Sequence, residues 1–237
     1  MPRKLAPPAF DRPLTSVDLA IFTVRDDALQ VLLTQRAEEP FARAWALPGG
    51  FIDVEQDGDL EACARRKLKE KTGVATPYLE QLGSWGNRSR DPRGWSVTHV
   101  YFALLPSAGV SLAAGANAAA ARWSPVLDDR VGLRLAFDHA AILAAALERL
   151  RSKVEYTSLP AYLLPEEFTL GELQRAYEIV LGRPVEKSAF RTRIRSAELV
   201  VEVPRQRTGP NRPAQLYRLK DRRHPVFFPR TFSPRGD

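Results

Sequence analysis

The chain has 237 residues and 44% hydrophobic content, enough for one or two domains with an apolar core. It has no run of about 18 apolar residues to span a membrane. The basic opening "MPRKLAPPAF" lacks the apolar stretch of a signal peptide, and a single cysteine, Cys63, excludes an internal disulfide or a cysteine metal cluster.

A reduced, cytoplasmic setting is the expectation. The net charge of +7 is unevenly placed. Residues 1–186 hold 22 Lys and Arg against 24 Asp and Glu, whereas residues 187–237 hold 13 against 4. A basic excess gathered at one end points to a polyanion partner. The three histidines, His99, His139 and His224, are too scattered to suggest a zinc site.

In chain order, residues 1–13 are proline-rich and are expected to form a flexible arm. Residues 16–24 and 29–36 alternate as two strands, with "RDDA" suited to a hairpin turn between them. Residues 44–53 lead into a loop. Residues 59–73 predict a helix, with Asp59 as N-cap, Leu60, Cys63, Ala64 and Leu68 as the apolar stripe, and Gly73 just past its end. "YLEQLGSWG" and "WSVTHVYFALLP" read as strands around the turn-rich loop 87–94. The Ala-rich segment 110–126 suggests loop and short strand, and residues 136–154 predict a helix with Asp138 near its start.

A two-proline junction, 155–167, separates this part from a different pattern. Residues 169–182 and 186–199 predict helices; Leu173, Tyr177 and Val180 face inward in the first, Phe190 and Ile194 in the second. "LVVEVP" and "AQLYRLK" read as strands bracketing the basic turn "RQRTGPNRP". In the Pro- and Arg-rich tail, Phe227 and Phe228 are positioned to pack back on the body.

The turn Leu47-Pro48-Gly49-Gly50, followed by "RRKLKEKTGV", resembles the Nudix hydrolase superfamily. Gly50, Arg66, Leu68, Gly73 and Val74 fit the family's box, and the likeness extends over residues 14–150. It implies an α/β fold: a Nudix α/β/α sandwich with a mixed sheet. The box's three helical glutamates, which in the family hold Mg²⁺ on a pyrophosphate, read Lys67, Glu70 and Lys71 here. Its loop glutamate falls at Gly58 if two residues are inserted. Two of three carboxylates on the metal-facing helix are thus ammonium groups, and an oxygen-ligand Mg²⁺ site does not tolerate that change of sign. Asp53, Glu55, Asp57 and Asp59 are the nearby carboxylates that could substitute. No metal, no catalytic residue and no cofactor is expected; an ammonium in the metal's place would neutralise a bound pyrophosphate without activating water.

"RDPRG", residues 90–94, resembles the stretch bordering the nucleotide pocket in Nudix proteins that act on or sense ADP-ribose. The effector-binding candidates are therefore Arg36, Gly49, Gly50, Phe51, Arg66, Lys67, Glu70, Lys71, Arg90, Asp91, Arg93 and Trp95. Arginines suit diphosphate and Phe51 or the tryptophans suit a base.

The C-terminal pattern of two helices and a basic hairpin looks like a small winged helix-turn-helix domain. Its DNA-binding candidates are Lys187, Ser188, Arg191, Arg193 and Arg195 on the second helix, and Arg205, Arg207 and Arg212 on the wing. The whole arrangement resembles the Nudix-related transcriptional regulators of NAD metabolism, specifically in "RKLKEKTG", "RDPRGWSVT" and "GRPVEKSAFRTRI". That resemblance implies a homodimer on a palindromic operator in double-stranded DNA, repressing NAD synthesis or salvage genes in response to ADP-ribose or a related nucleotide.

The expected organisation is an arm (1–13), an effector domain (14–152), a DNA-binding domain (153–223) and a tail (224–237), with helix 136–152 coupling pocket to winged helix. The rival readings are an active Mg²⁺-dependent ADP-ribose pyrophosphatase, an RNA-binding Nudix protein and a sugar-responsive regulator of the same architecture.

Overall fold

The computed structural model describes residues 12–76, 78–108, 110–112, 118–208 and 213–228. Most of the expected 1–13 arm and of the 224–237 tail lies outside the described residues, as do Arg212 and the wing tip.

Strands β1 (Leu14–Arg25) and β2 (Ala28–Arg36) form the expected hairpin. Asp26 and Asp27 close it with φ of 52° and 58°, the left-handed pair that a two-residue turn matching strand twist requires. In the segment 44–53, to which the sequence assigned no element, two short strands, β3 (Trp45–Ala46) and β4 (Gly49–Phe51), pair with β2 and β1. They are too short for periodicity to reveal.

Helix α1 (Leu60–Thr72) follows, then β5 (Tyr78–Asn87), β6 (Ser96–Leu104) and β7 (Ala118–Pro125). The sheet runs β3-β2-β1-β6-β5, with β4 on β1 and β7 on β2; β1 and β6 are parallel and the other pairs antiparallel. The Ala-rich segment thus holds an eight-residue strand, masked in sequence because alanine has little strand preference.

Alternation along β1 divides the core. Val17, Leu19 and Ile21 face Cys63, Ala64 and Leu68 of α1. Ala20 and Phe22 face the other layer, where Ile142, Leu143, Ala146, Leu147 and Leu150 of helix α2 (His139–Val154) pack. This is the mixed-sheet sandwich that the resemblance implies.

The 155–167 junction is not a loose connection. Residues Leu159–Leu163 form a buried 3₁₀ turn, and Tyr162 is fully buried against Tyr78. The second unit comprises β8 (Phe168–Thr169), α3 (Leu170–Leu181), α4 (Lys187–Ser196), β9 (Val200–Arg207) and β10 (Ala214–Leu219). Its three strands order as β8-β10-β9, giving two helices and a winged hairpin.

A capping box starts α3. Thr169 accepts from the Glu172 amide at 3.2 Å, and the Glu172 carboxylate accepts from the Thr169 amide at 2.7 Å. One apolar cluster runs from Phe22 and Phe102 of the sheet through α2 and Leu159 to Leu173, Phe190 and Ile194. Arg151 of α2 donates to the Val180 carbonyl of α3 at 3.0 Å, and the Tyr177 hydroxyl donates to the Thr157 carbonyl at 2.7 Å. Phe228 is buried at the same junction, and its amide bonds the Tyr156 carbonyl at 2.8 Å; Phe227 remains exposed. Among the described residues, no helix is long and apolar enough to cross a membrane.

Candidate functional site

A cavity of about 380 Å³ opens over the box turn, within the range that holds nucleotide-sized ligands. Helix α1 supplies one wall. The Asp59 carboxylate accepts from the Ala62 amide at 2.7 Å to start it, and Gly73 ends it in the left-handed conformation at φ 72°. With Cys63, Ala64 and Leu68 held against the sheet, Arg66, Lys67 and Lys71 fall on the cavity side.

Gly49, Gly50 and Phe51 form the facing rim. Lys67 is so close to this turn that a Cβ on Gly50 would lie 3.2 Å from its ammonium. Lys71 is buried, and that burial draws its pKa down against the pull of Glu70.

Asp57, Glu70 and Asp59 near the box are engaged by other groups, while Asp53 lines the cavity. Arg66 grips Asp57 at two points, 2.7 and 2.6 Å, and donates to Glu70 at 2.8 Å. The Asp57 side chain is 1% exposed, and the Arg66 hydrogen bonds hold its carboxyl far below the usual range. In the loop, the acid that Arg66 holds is Asp57, next to Gly58. Glu70 also lies 3.8 Å from Lys67, is half-exposed, and does not line the cavity, contrary to its place among the ligand-contact candidates. Asp59 caps α1, and Asp53 accepts from the Glu55 amide and the Gln56 side chain. No grouping of three or more His, Cys, Asp or Glu suited to a metal occurs among the described residues. The donor set does not fit Mg²⁺.

The remaining wall is basic and aromatic. Arg36 lies over the Phe137 ring at 4.8 Å and donates to the Pro40 carbonyl at 2.7 Å, a neutral acceptor. Arg93 lies over Phe51 at 5.2 Å. Its guanidinium and amide bind Asp91; burial raises the Asp91 pKa, but the Arg93 bonds outweigh it and keep the carboxyl ionised. Trp95 departs from expectation: it is exposed, packs across Gly86, and does not line the cavity.

The floor holds residues that sequence reasoning missed. Asp18 is buried on β1, with His139 Nε2 at 3.6 Å and Arg90 at 3.9 Å. His139 Nδ1 accepts from the Leu47 amide at 3.0 Å, so its proton sits on Nε2, facing Asp18. Arg90 forms a two-point pair with Asp138 at 3.0 and 2.9 Å. Asp138 lies at the start of α2, as expected, but its carboxylate makes no cap bond and goes to Arg90 instead. Phe137, at φ 53°, is a bulky residue in a strained left-handed conformation on the cavity wall. The partners are distant in sequence, 48 positions for Arg90 and Asp138 and 92 for Leu47 and His139, and the tertiary fold brings them together.

In the second unit, Glu186 starts α4 by accepting from the Ser188 and Ala189 amides. Phe190 and Ile194 are buried, which leaves Ser188, Arg191 and Arg195 exposed toward the outer side of the helix. Lys187 is exposed at its first turn. Arg193, also exposed, falls on the opposite flank, 4.8 Å over the Phe228 ring. On the wing, Arg205 pairs with Glu167 and Arg207 with Glu172.

Residues 15–145 match the NUDIX domain family, and residues 160–219 match the NrtR DNA-binding winged helix domain. The chain is 48% identical over 221 residues to the ADPR responsive transcriptional repressor NtrR of Acinetobacter baylyi, covering 93% of this chain and 88% of that one. It resembles the crystal structure of Shewanella oneidensis NrtR complexed with a 27mer DNA at TM-score 0.84 and 43% identity, covering 92% of this chain and 99% of that one. It also resembles the NUDIX domain of that protein complexed with ADP ribose at TM-score 0.57 and 46% identity, covering 62% and 94%.

Proposed function

Because the chain belongs to the family that joins a NUDIX domain to an NrtR DNA-binding winged helix, we propose that it is an ADP-ribose-responsive transcriptional repressor of NAD synthesis or salvage genes. The supporting observation is the pairing of two features in one continuous core: a cavity edged by Lys67, Lys71, Arg36 and Arg93, and a winged helix with outward Ser188, Arg191 and Arg195. The cavity suits a diphosphate flanked by aromatic faces. The winged helix suits a duplex groove.

The protein holds its effector without hydrolysing it. Lys67 and Lys71 stand where Mg²⁺ ligands would be needed, and a sensor that destroyed its ligand would erase its own signal. The active unit is a homodimer on a palindromic operator, since a two-fold protein presents two recognition helices to two half-sites. Residues 14–152 form the sensing module and 153–223 the DNA-binding module, in a cytoplasmic regulator.

The test is a mobility shift on duplexes from neighbouring promoters, with and without ADP-ribose, at fixed salt. Sequence-specific retention that ADP-ribose alters supports the reading. Indifference to ADP-ribose sinks the effector assignment, and equal retention of random duplex sinks the repressor. Release of AMP from ADP-ribose with Mg²⁺ would instead establish the hydrolase.

A further inference from the structure

We propose that Asp138 is a positioning residue, and that the Arg90–Asp138 pair is the relay by which an anion in the cavity acts on the winged helix. This rests on the effector reading above. Arg90 lines the cavity, yet its guanidinium is nearly sealed, at 4% exposure, and is held at two points by Asp138. Asp138 immediately precedes α2, and its carboxylate serves Arg90 rather than its own helix.

The start of α2 is wired to the ligand side at three further points. His139 accepts from the Leu47 amide, its Nε2 faces Asp18, and the Ala136 amide bonds the Trp45 carbonyl at 2.8 Å. All lie beside the glycine turn that rims the cavity. The other end of α2 is fixed to the DNA-binding unit through Arg151 and Val180, and the chain continues into the buried turn that carries Tyr162. Helix α2 is thus a rigid rod of 16 residues with one end in the cavity floor and the other on α3.

A diphosphate is a competing acceptor for the Arg90 guanidinium. When it draws Arg90, Asp138 loses its partner, and the start of α2 loses one of its anchors. An effector shifts an equilibrium only by binding two arrangements unequally, and this pair differs between them: Arg90 on Asp138 without ligand, Arg90 on phosphate with it.

The test uses the full-length protein and compares operator affinity with and without saturating ADP-ribose, alongside calorimetric ADP-ribose binding. Such coupling is typically about 5–150-fold. In Asp138→Asn the expected result is retained operator binding and retained ADP-ribose binding, with the ratio of operator affinities falling to about one. Asp138→Glu restores part of the ratio.

A wild-type-like ratio in Asp138→Asn overturns the relay while leaving the effector reading intact. Loss of ADP-ribose binding in that variant overturns it too, because Asp138 would then act on binding alone. A wild type that ignores ADP-ribose overturns both. Should Asp138→Asn fail to fold, Asp138→Ser replaces it: the carboxylate is lost and a small group able to cap α2 remains, so the relay requires ADP-ribose binding without coupling, and coupling retained overturns it.

Discussion

Gly49 backs directly onto Asp18. A Cβ at Gly49 would fall inside contact distance of Asp18 Oδ1 and 2.5 Å from the Val17 carbonyl oxygen. Neither neighbour can yield, since one is a buried carboxylate and the other is backbone. The glycine of the box turn therefore secures close approach of the cavity rim to the floor.

Gly49→Ala is expected to destabilise the protein by about 1–3 kcal/mol, the usual range for overpacking. It should also weaken ADP-ribose binding, because the rim must lift away from the floor. Thermal denaturation and calorimetry on the same sample measure both effects. A variant with unchanged melting temperature and unchanged affinity would contradict the close contact.

The Asp57–Arg66 pair predicts a pH dependence. Its carboxyl is held well below the unfolded value of roughly 3.9 by Arg66. A depressed folded value means that the stabilisation is present above about pH 4 and is lost as the pH falls through the folded value. Asp57→Asn should melt lower than wild type at neutral pH, and the difference should shrink on acidification below about pH 4. A difference that is constant with pH would mean that the pair does not stabilise through its charge.

Lys67 sets the charge of the box helix against the cavity. Lys67→Glu is expected to lower ADP-ribose affinity by at least ~10-fold, about 1.4 kcal/mol. The wild-type affinity should be indifferent to Mg²⁺. Titration calorimetry with and without Mg²⁺ decides it, and wild-type binding that requires Mg²⁺ would place a metal where we place an ammonium.

Wing arginines must leave carboxylates to meet phosphates. Glu172 pairs with Arg207 but also holds the Thr169 amide. Glu172→Gln preserves the cap and removes the competing charge, so it should tighten DNA binding at low salt. Arg207→Ala should weaken binding on all duplexes alike and flatten the salt dependence by about one ion. Fluorescence anisotropy over a salt series measures both, and an unchanged slope for Arg207→Ala would place that arginine away from the backbone.

Much of the fold is written locally in the chain. The Asp59 cap, the Gly73 stop, and the alternation of Val17, Leu19 and Ile21 each depend on near neighbours, and the structure uses them as expected. The cavity floor is different in kind. Asp18 carries no local signal, and Asp138 reads only as a residue near a helix start, because its partner Arg90 is 48 residues away. Glu70 and Trp95 were placed by motif position alone. Position in a motif fixes the turn of the helix or loop, but an arginine one turn earlier and an open surface across Gly86 took those side chains elsewhere. Arg193 was grouped with its neighbours by charge, although 100° per residue carries it to the flank where Phe228 lies.

The apolar cluster that runs from the sheet into the winged helix implies that both units melt together. Strands, α2, α3 and α4 bury side chains against one another in sequence, so none can open widely without exposing part of the next. Occupancy of the cavity should therefore slow amide hydrogen exchange in α4, a helix that never touches the ligand. In that sense the recognition helix is guarded against unfolding by a small molecule at the far side of the sheet, and its lifetime in the cell is set by how full that cavity is.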